Sequence, residues 1–305
     1  MQQSIKNLSI VSLQNHDEAQ SKYFQRLLNQ MYYTLLFGED ASTALDLSTL
    51  SQLKKIETAW IESAQRDCLQ YYPCDQEVSN GEVVAAALKK HRVYQHKLFD
   101  FLLHEAGMED LKKFILSESV LNLEFFDYLA LSIIGVPDQA KSEIAANLWD
   151  EAGRGNIQQF HTTLFKKLME DLGLRYDRQN IIENMTWEGL AGINLFSYFS
   201  IYPFNKMKYF GLLAATEMLD PPHYHKLIKA INRIFNQKID HTYYVEHEII
   251  DIEHADGWLQ KVILPELNKN PHKTRDFWLG FYLRLESAEK YYNSLLSSFM
   301  TKQAA

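Results

Sequence analysis

Residues 243–260 read YYVEHEIIDIEHADGWLQ, and the run His247-x-x-x-Asp251-x-x-His254 within it governs the reading of the whole chain. The apolar spacing predicts a helix. On a helix, positions three and four apart are neighbours, so His247, Asp251 and His254 fall on one stripe. Two imidazoles and a carboxylate on one face offer what a first-row metal ion takes from a single helix. The same stripe also reads as a solvated polar face that happens to carry two histidines. A protein that buries it without a cation must satisfy or neutralise each member.

A second group lies in NLWDEAGRGNIQQFHTTLFKKLMEDLGL, residues 147–174. Glu151 and His161 are separated by Gly153-Arg154-Gly155, after which Asn156 is placed to cap a helix running toward Leu172. Glycines let the backbone bend or approach another segment closely, so the helical period does not carry across them. On a straight helix Glu151 and His161 point apart; a kink can turn both inward. Otherwise they are a surface acid in a loop and a hydrogen-bonded core histidine.

Two lone acids sit in apolar company. Glu217, in YFGLLAATEMLDPPHYHKL, comes one turn before the helix stop expected at Pro221-Pro222. Glu124, in SVLNLEFFDYLALSIIG, is surrounded by Leu121, Leu123, Phe125 and Phe126, with Asp127 close by. Each is either at a helix rim or buried with a partner, because an unpaired buried carboxylate is costly. Taken together, four carboxylates (Glu124, Glu151, Glu217, Asp251) and three imidazoles (His161, His247, His254) come from several helical segments. Oxygen and imidazole ligands without thiolate favour iron or manganese over structural zinc. Helical bundles commonly build dinuclear carboxylate sites by projecting such groups inward, but the paired Glu-x-x-His motif of the familiar bundles is missing.

The order Glu151, His161, Glu217, His247, Asp251, His254, with the D-E-x-G-x-G turn after Leu148 and the Leu164-Phe165 pair, resembles the haem-oxygenase-like diiron oxidases and oxygenases. The resemblance covers about the last two-thirds of the chain. It implies an all-α, seven-helix core shared with haem oxygenase but without haem, and two Fe ions held by those six residues. It also implies O2 as co-substrate and an external reductant, since no dinucleotide-binding fingerprint is present. Members that oxygenate nitrogen carry a further carboxylate from an earlier core helix, and Glu124 lies near that place. That tilts the expectation toward N-oxygenation of a small amine-containing metabolite. The alternatives are C–C cleavage or desaturation of an amino or fatty acid, and a metal-free helical binding protein.

The remaining features set the background. The chain has 305 residues, 46% of them hydrophobic, with only 7 prolines and 12 glycines, and its apolar stretches keep a helical period throughout. A net charge of −8 argues against nucleic acid and anionic membranes as partners. No apolar run reaches the roughly 18 residues of a membrane span, and the N-terminus does not read as a signal peptide. A disulfide between Cys68 and Cys74 is possible but not needed, and a reducing cytoplasm is the simpler reading. The stretch YYPCDQEVSNGE marks a boundary near residue 75. It separates an N-terminal helical extension (1–75), suited to dimerisation, from a catalytic domain (76–305). In the aromatic stretch INLFSYFSIYPFNKMK, Tyr198 and Tyr202 are candidates to line a substrate pocket, and Arg154 to hold a substrate carboxylate through its planar fork. Asn194 and Tyr198 are further candidates for hydrogen bonds to ligands.

Overall fold

A computed structural model describes residues 18–38, 47–236 and 238–303, and every regular element among them is helical. The N-terminal segment before Glu18 and most of the turn-rich stretch after Phe37 lie outside the described residues. Helices α1 (Glu18–Phe37) and α2 (Leu47–Tyr71) come first, then α3 (Gly81–Lys90) and α4 (Lys97–His104). These last two are separate helices. His96 divides them, its Nδ1 accepting the Leu98 amide as a new N-cap.

The remaining helices build the core. They are α5 (Met108–Ser132), α6 (Asp138–Glu151), α7 (His161–Asp171), α8 (Arg178–Asn184) and α9 (Trp187–Ile201), then α10 (Lys206–Phe235), α11 (Thr242–Gly257), α12 (Leu264–Lys269) and α13 (Thr274–Gln303). Helix α10 is central and packs against α13, α11, α4 and α5, while α1 lies along α9 and α5 faces α6 and α7. Gly211 and Gly280 let α10 and α13 approach closely. A Cβ on Gly280 would stand 1.7 Å from the Lys208 carbonyl oxygen. The N-terminal helices contribute Leu28, Tyr32 and Leu53 to the same apolar core as Phe277 and Leu285 of α13.

The helix stop expected at Pro221-Pro222 does not occur: α10 runs through both prolines for 30 residues. An interior proline costs roughly 3 kcal/mol. Burial on both sides of the pair offsets it, through Leu213 and Leu219 before and Leu227 and Ile231 after. The two missing amides also leave the carbonyls of Glu217 and Met218 without their usual helical donors. After α11 the chain does not continue as a plain helix. Residues Trp258–Ile263 form a π-helical segment, a form frequent at functional sites. No helix among the described residues is long and apolar enough to cross a membrane.

Candidate metal centre

The turn between α6 and α7 performs the first assembly step. Gly153, Arg154 and Gly155 all take left-handed backbone angles, with φ of +63°, +53° and +84°. At Gly153 the need for glycine is also steric, since a Cβ there would lie 2.4 Å from the Gln159 carbonyl carbon. Asn156 caps a single 3-10 turn (Ile157–Gln159), and α7 starts only at His161. The reversal sets His161 Nδ1 2.8 Å from Glu151 Oε2.

Helix α11 adds the rest of this group. Its His247 ring lies 4.2 Å from the His161 ring, centroid to centroid, and His247 Nε2 is 3.9 Å from Glu151 Oε1. His247 Nδ1 is 2.7 Å from the Tyr243 carbonyl one turn earlier. That bond fixes the proton on Nδ1 and leaves the Nε2 lone pair facing Glu151, as metal-binding histidines require. Glu151, His161 and His247 can bring ligand atoms within 4.8 Å of one another, and all three are buried.

Glu217 of α10 forms a second such group with Asp251 and His254 of α11. His254 Nδ1 is 3.5 Å from Glu217 Oε2 and 3.9 Å from Asp251 Oδ1. Asp150, which sequence reasoning missed beside Glu151, approaches His254 Nε2 at 3.5 Å. Its place on the last turn of α6 was the available signal.

The donor set fits cations because of what its buried atoms lack. Glu151 Oε1, Glu217 Oε1, Asp251 Oδ1 and His254 Nε2 are buried without a hydrogen-bond partner. So many orphaned donors in one place are costly unless a cation satisfies them. The electrostatics agree. Burial, with repulsion from Glu217, Asp220 and Glu151, drives the Asp251 carboxyl well above its usual range. Burial opposes charge on His254, but its hydrogen bond to Glu217 prevails and pushes the imidazole up to about 9. Burial alone would raise Glu151, yet His161, His247 and His254 hold it below its ordinary value. Burial also drives His247 down to about 3, keeping it neutral and ready to ligate. Protons gather where carboxylates crowd, which is where cations would replace them.

The other candidates lie elsewhere. Glu124 is buried, but it pairs with Arg178 (Nε to Oε1, 2.5 Å) and accepts from Tyr128 at 3.0 Å, outside both groups. Arg154 is exposed and bound to Asp150 at 2.6 Å. Tyr202 lies under Lys54, whose Nζ is 3.9 Å from the ring centroid, while the Tyr198 hydroxyl accepts from Asn205 at 3.4 Å. Both tyrosines stand where α9 meets α2. Asn194 bonds Gln25 and Asn29 in the seam between α9 and α1. Phe204, from the same aromatic stretch, is 76% exposed.

Comparison with known proteins adds two findings. The family described as iron-containing redox enzymes matches residues 112–289, a span that includes every candidate ligand. Nitrosourea synthase from Streptomyces achromogenes subsp. streptozoticus is 28% identical over 134 residues, covering 44% of this chain and 28% of that protein. The alignment thus spans under a third of that relative's length.

Proposed function

The chain belongs to the iron-containing redox enzyme family, and from that membership we propose a non-haem diiron oxygenase that N-oxygenates a small amine-containing metabolite. The observation that carries the proposal is the pair of buried three-residue groups meeting at α11. Glu151, His161 and His247 would hold one iron, and Glu217, Asp251 and His254 the other. When bound, the two irons supply reductive activation of O2, with electrons from an external donor. The chain's own part is to orient and to exclude water. The Tyr243 carbonyl fixes the His247 tautomer, and Phe165, Tyr243 and Tyr244 wall the centre with aromatic packing.

Nitrogen oxidation is supported by the relative's name, because a nitrosourea contains an N–O bond. One observation favours a second reading, C–C cleavage or desaturation. Glu124, whose ligation would mark the N-oxygenating branch, is engaged by Arg178. Anaerobic Fe(II) titration tests the centre and should approach two equivalents. A stoichiometry near zero, or tight zinc binding without iron chemistry, would sink the proposal. Incubating the loaded enzyme with amines, guanidines and amino acids under O2 then separates the readings by mass. Gain of oxygen on nitrogen supports the first, and chain fragments or loss of hydrogen the second.

A further inference from the structure

A separate cavity of about 200 Å3 opens where α6, α10, α13 and the π-helical segment meet. Its lining is mixed: Val136, Met207, Phe210 and Val262 give it an apolar side, and the exposed Phe204 is among its lining residues. Four lysines border it: Lys206, Lys261, Lys269 and Lys273. Two of them are already matched, Lys261 by Glu143 at 2.8 Å and Lys273 by Glu266 at 2.5 Å. The other bordering acid, Asp276, faces Lys208 at 3.5 Å.

Lys206 is different. Its Nζ donates to the Ser132 carbonyl at 3.2 Å, and no carboxylate among the described residues lies within ion-pair distance of it. Burial lowers its pKa, the mark of an ammonium short of a counter-charge. The backbone reinforces the same sign. The first turns of α6 (14 residues), α10 (30 residues) and α13 (30 residues) all border the cavity, and helix N-termini carry partial positive charge.

We propose that this cavity binds a small amphipathic anion, a carboxylate with a compact apolar body, its charge on Lys206 and its body against Met207, Phe210 and Val262. The volume lies below the roughly 300–1,000 Å3 of drug-sized sites, so the ligand is small. The apolar side of the lining favours an anion with an apolar body over a bare inorganic one, whose hydration that side cannot replace. The site is distinct from the candidate metal centre. Lys206 and Glu217 are eleven residues apart on α10, or about 16 Å at 1.5 Å per residue. It is nonetheless joined to that centre, because Lys261 and Val262 belong to the π segment that continues the helix bearing His254.

The test is calorimetric titration of the iron-loaded protein with hexanoate, hexanol and inorganic phosphate, in wild type, Lys206→Gln and the exposed control Lys89→Gln. Hexanoate should bind saturably, with hexanol and phosphate much weaker. Lys206→Gln should weaken hexanoate about ten-fold or more, the worth of one charge-assisted hydrogen bond, and Lys89→Gln should change nothing. Lys269→Gln, at an exposed position, gives a second reading should Lys206→Gln lose its helical circular dichroism. The proposal fails if hexanoate shows no saturable binding or if phosphate binds as well. It also fails if both cavity variants bind hexanoate like wild type, since the carboxylate would then be on the iron.

Discussion

Replacing Gly153 by alanine tests whether the turn after α6 assembles the metal centre. The substitution meets two penalties. A φ of +63° costs an L-residue about 1–2 kcal/mol. The new Cβ would also stand 2.4 Å from the Gln159 carbonyl carbon and 2.5 Å from the Phe160 amide nitrogen. Both atoms are backbone, so no side-chain rotation relieves the contact. Restoring a carbon–carbon separation of about 3.5 Å moves the two segments apart by about 1 Å. Metal–ligand distances tolerate about 0.2 Å, and His161 directly follows Phe160. The φ penalty lowers stability in either variant, but only the displacement at Gly153 moves the ligands, so we expect a loss of roughly 10–100-fold at one of the two iron positions, the scale of losing a ligand's outer support. Gly173→Ala is the control, with φ +68° but nothing within 4 Å of the added carbon. It should lower the melting temperature while leaving iron binding intact. Anaerobic Fe(II) titration against a competing chelator, with thermal melts in parallel, reads both. Unchanged affinity for two irons in Gly153→Ala, or an equal loss in Gly173→Ala, refutes the reasoning.

His161→Ala and Asp251→Ala should each remove about one iron equivalent while keeping the helical signal, one from each group. Unfolding with metal content per folded molecule unchanged would instead mark them as core hydrogen-bonders. Burial holds His223 down to about 3, against roughly 6.5 when unfolded, so the unfolded chain binds the extra proton between those values. Stability is therefore lost as pH falls from about 6.5 toward 3, and His223→Phe, which keeps the stacking on Phe99, should recover on the order of 2 kcal/mol of the loss between pH 7 and 5 in urea melts. Equal losses in both proteins would count against this. Arg178→Met should destabilise the iron-free protein by about 3–5 kcal/mol by stranding Glu124, and added Fe(II) should restore part of that if Glu124 turns to ligate.

What was legible in the sequence follows from how far each inference had to reach. His247, Asp251 and His254 share a stripe by helical period alone, and the surprise is what the opposite face carries. Ile249 and Ile252 are 63% and 62% exposed while the polar stripe is buried. Such an inverted helix confuses a hydrophobic-pattern reading of orientation but not of periodicity. Glu151 and His161 needed the glycine turn, whose presence was readable and whose angle was not. Pro221-Pro222 misled because local chemistry argues for a stop, and only tertiary packing on both sides of the pair argues against it. Arg154, Tyr198 and Tyr202 show the limit of residue type as a guide. An arginine or a tyrosine suits a substrate pocket wherever it stands, and these three stand beside Asp150, Asn205 and Lys54.

Glu124 bears on the chemistry through charge. Two divalent ions bring four positive charges, and Glu151, Glu217 and Asp251 supply three negative ones. Of the further acids, Asp150 pairs with Arg154 and Glu124 with Arg178, while Asp220, close enough to repel the Asp251 carboxyl, is pushed up to about 7 by burial. Six ligands alone would leave a loaded centre one negative charge short, a deficit that ionised Asp220 or an exogenous anion would complete. A substrate carboxylate would serve, which fits oxidation of amino or fatty acids at carbon. Drawing Glu124 away from Arg178 closes the deficit from within and frees the centre to accept a neutral amine. A divalent cation attracts a carboxylate more strongly than a guanidinium does, so filling the second iron position is the event that would release Glu124. On the proposed chemistry, the strength of the Glu124–Arg178 pair relative to that position would set whether the centre turns on nitrogen or on carbon.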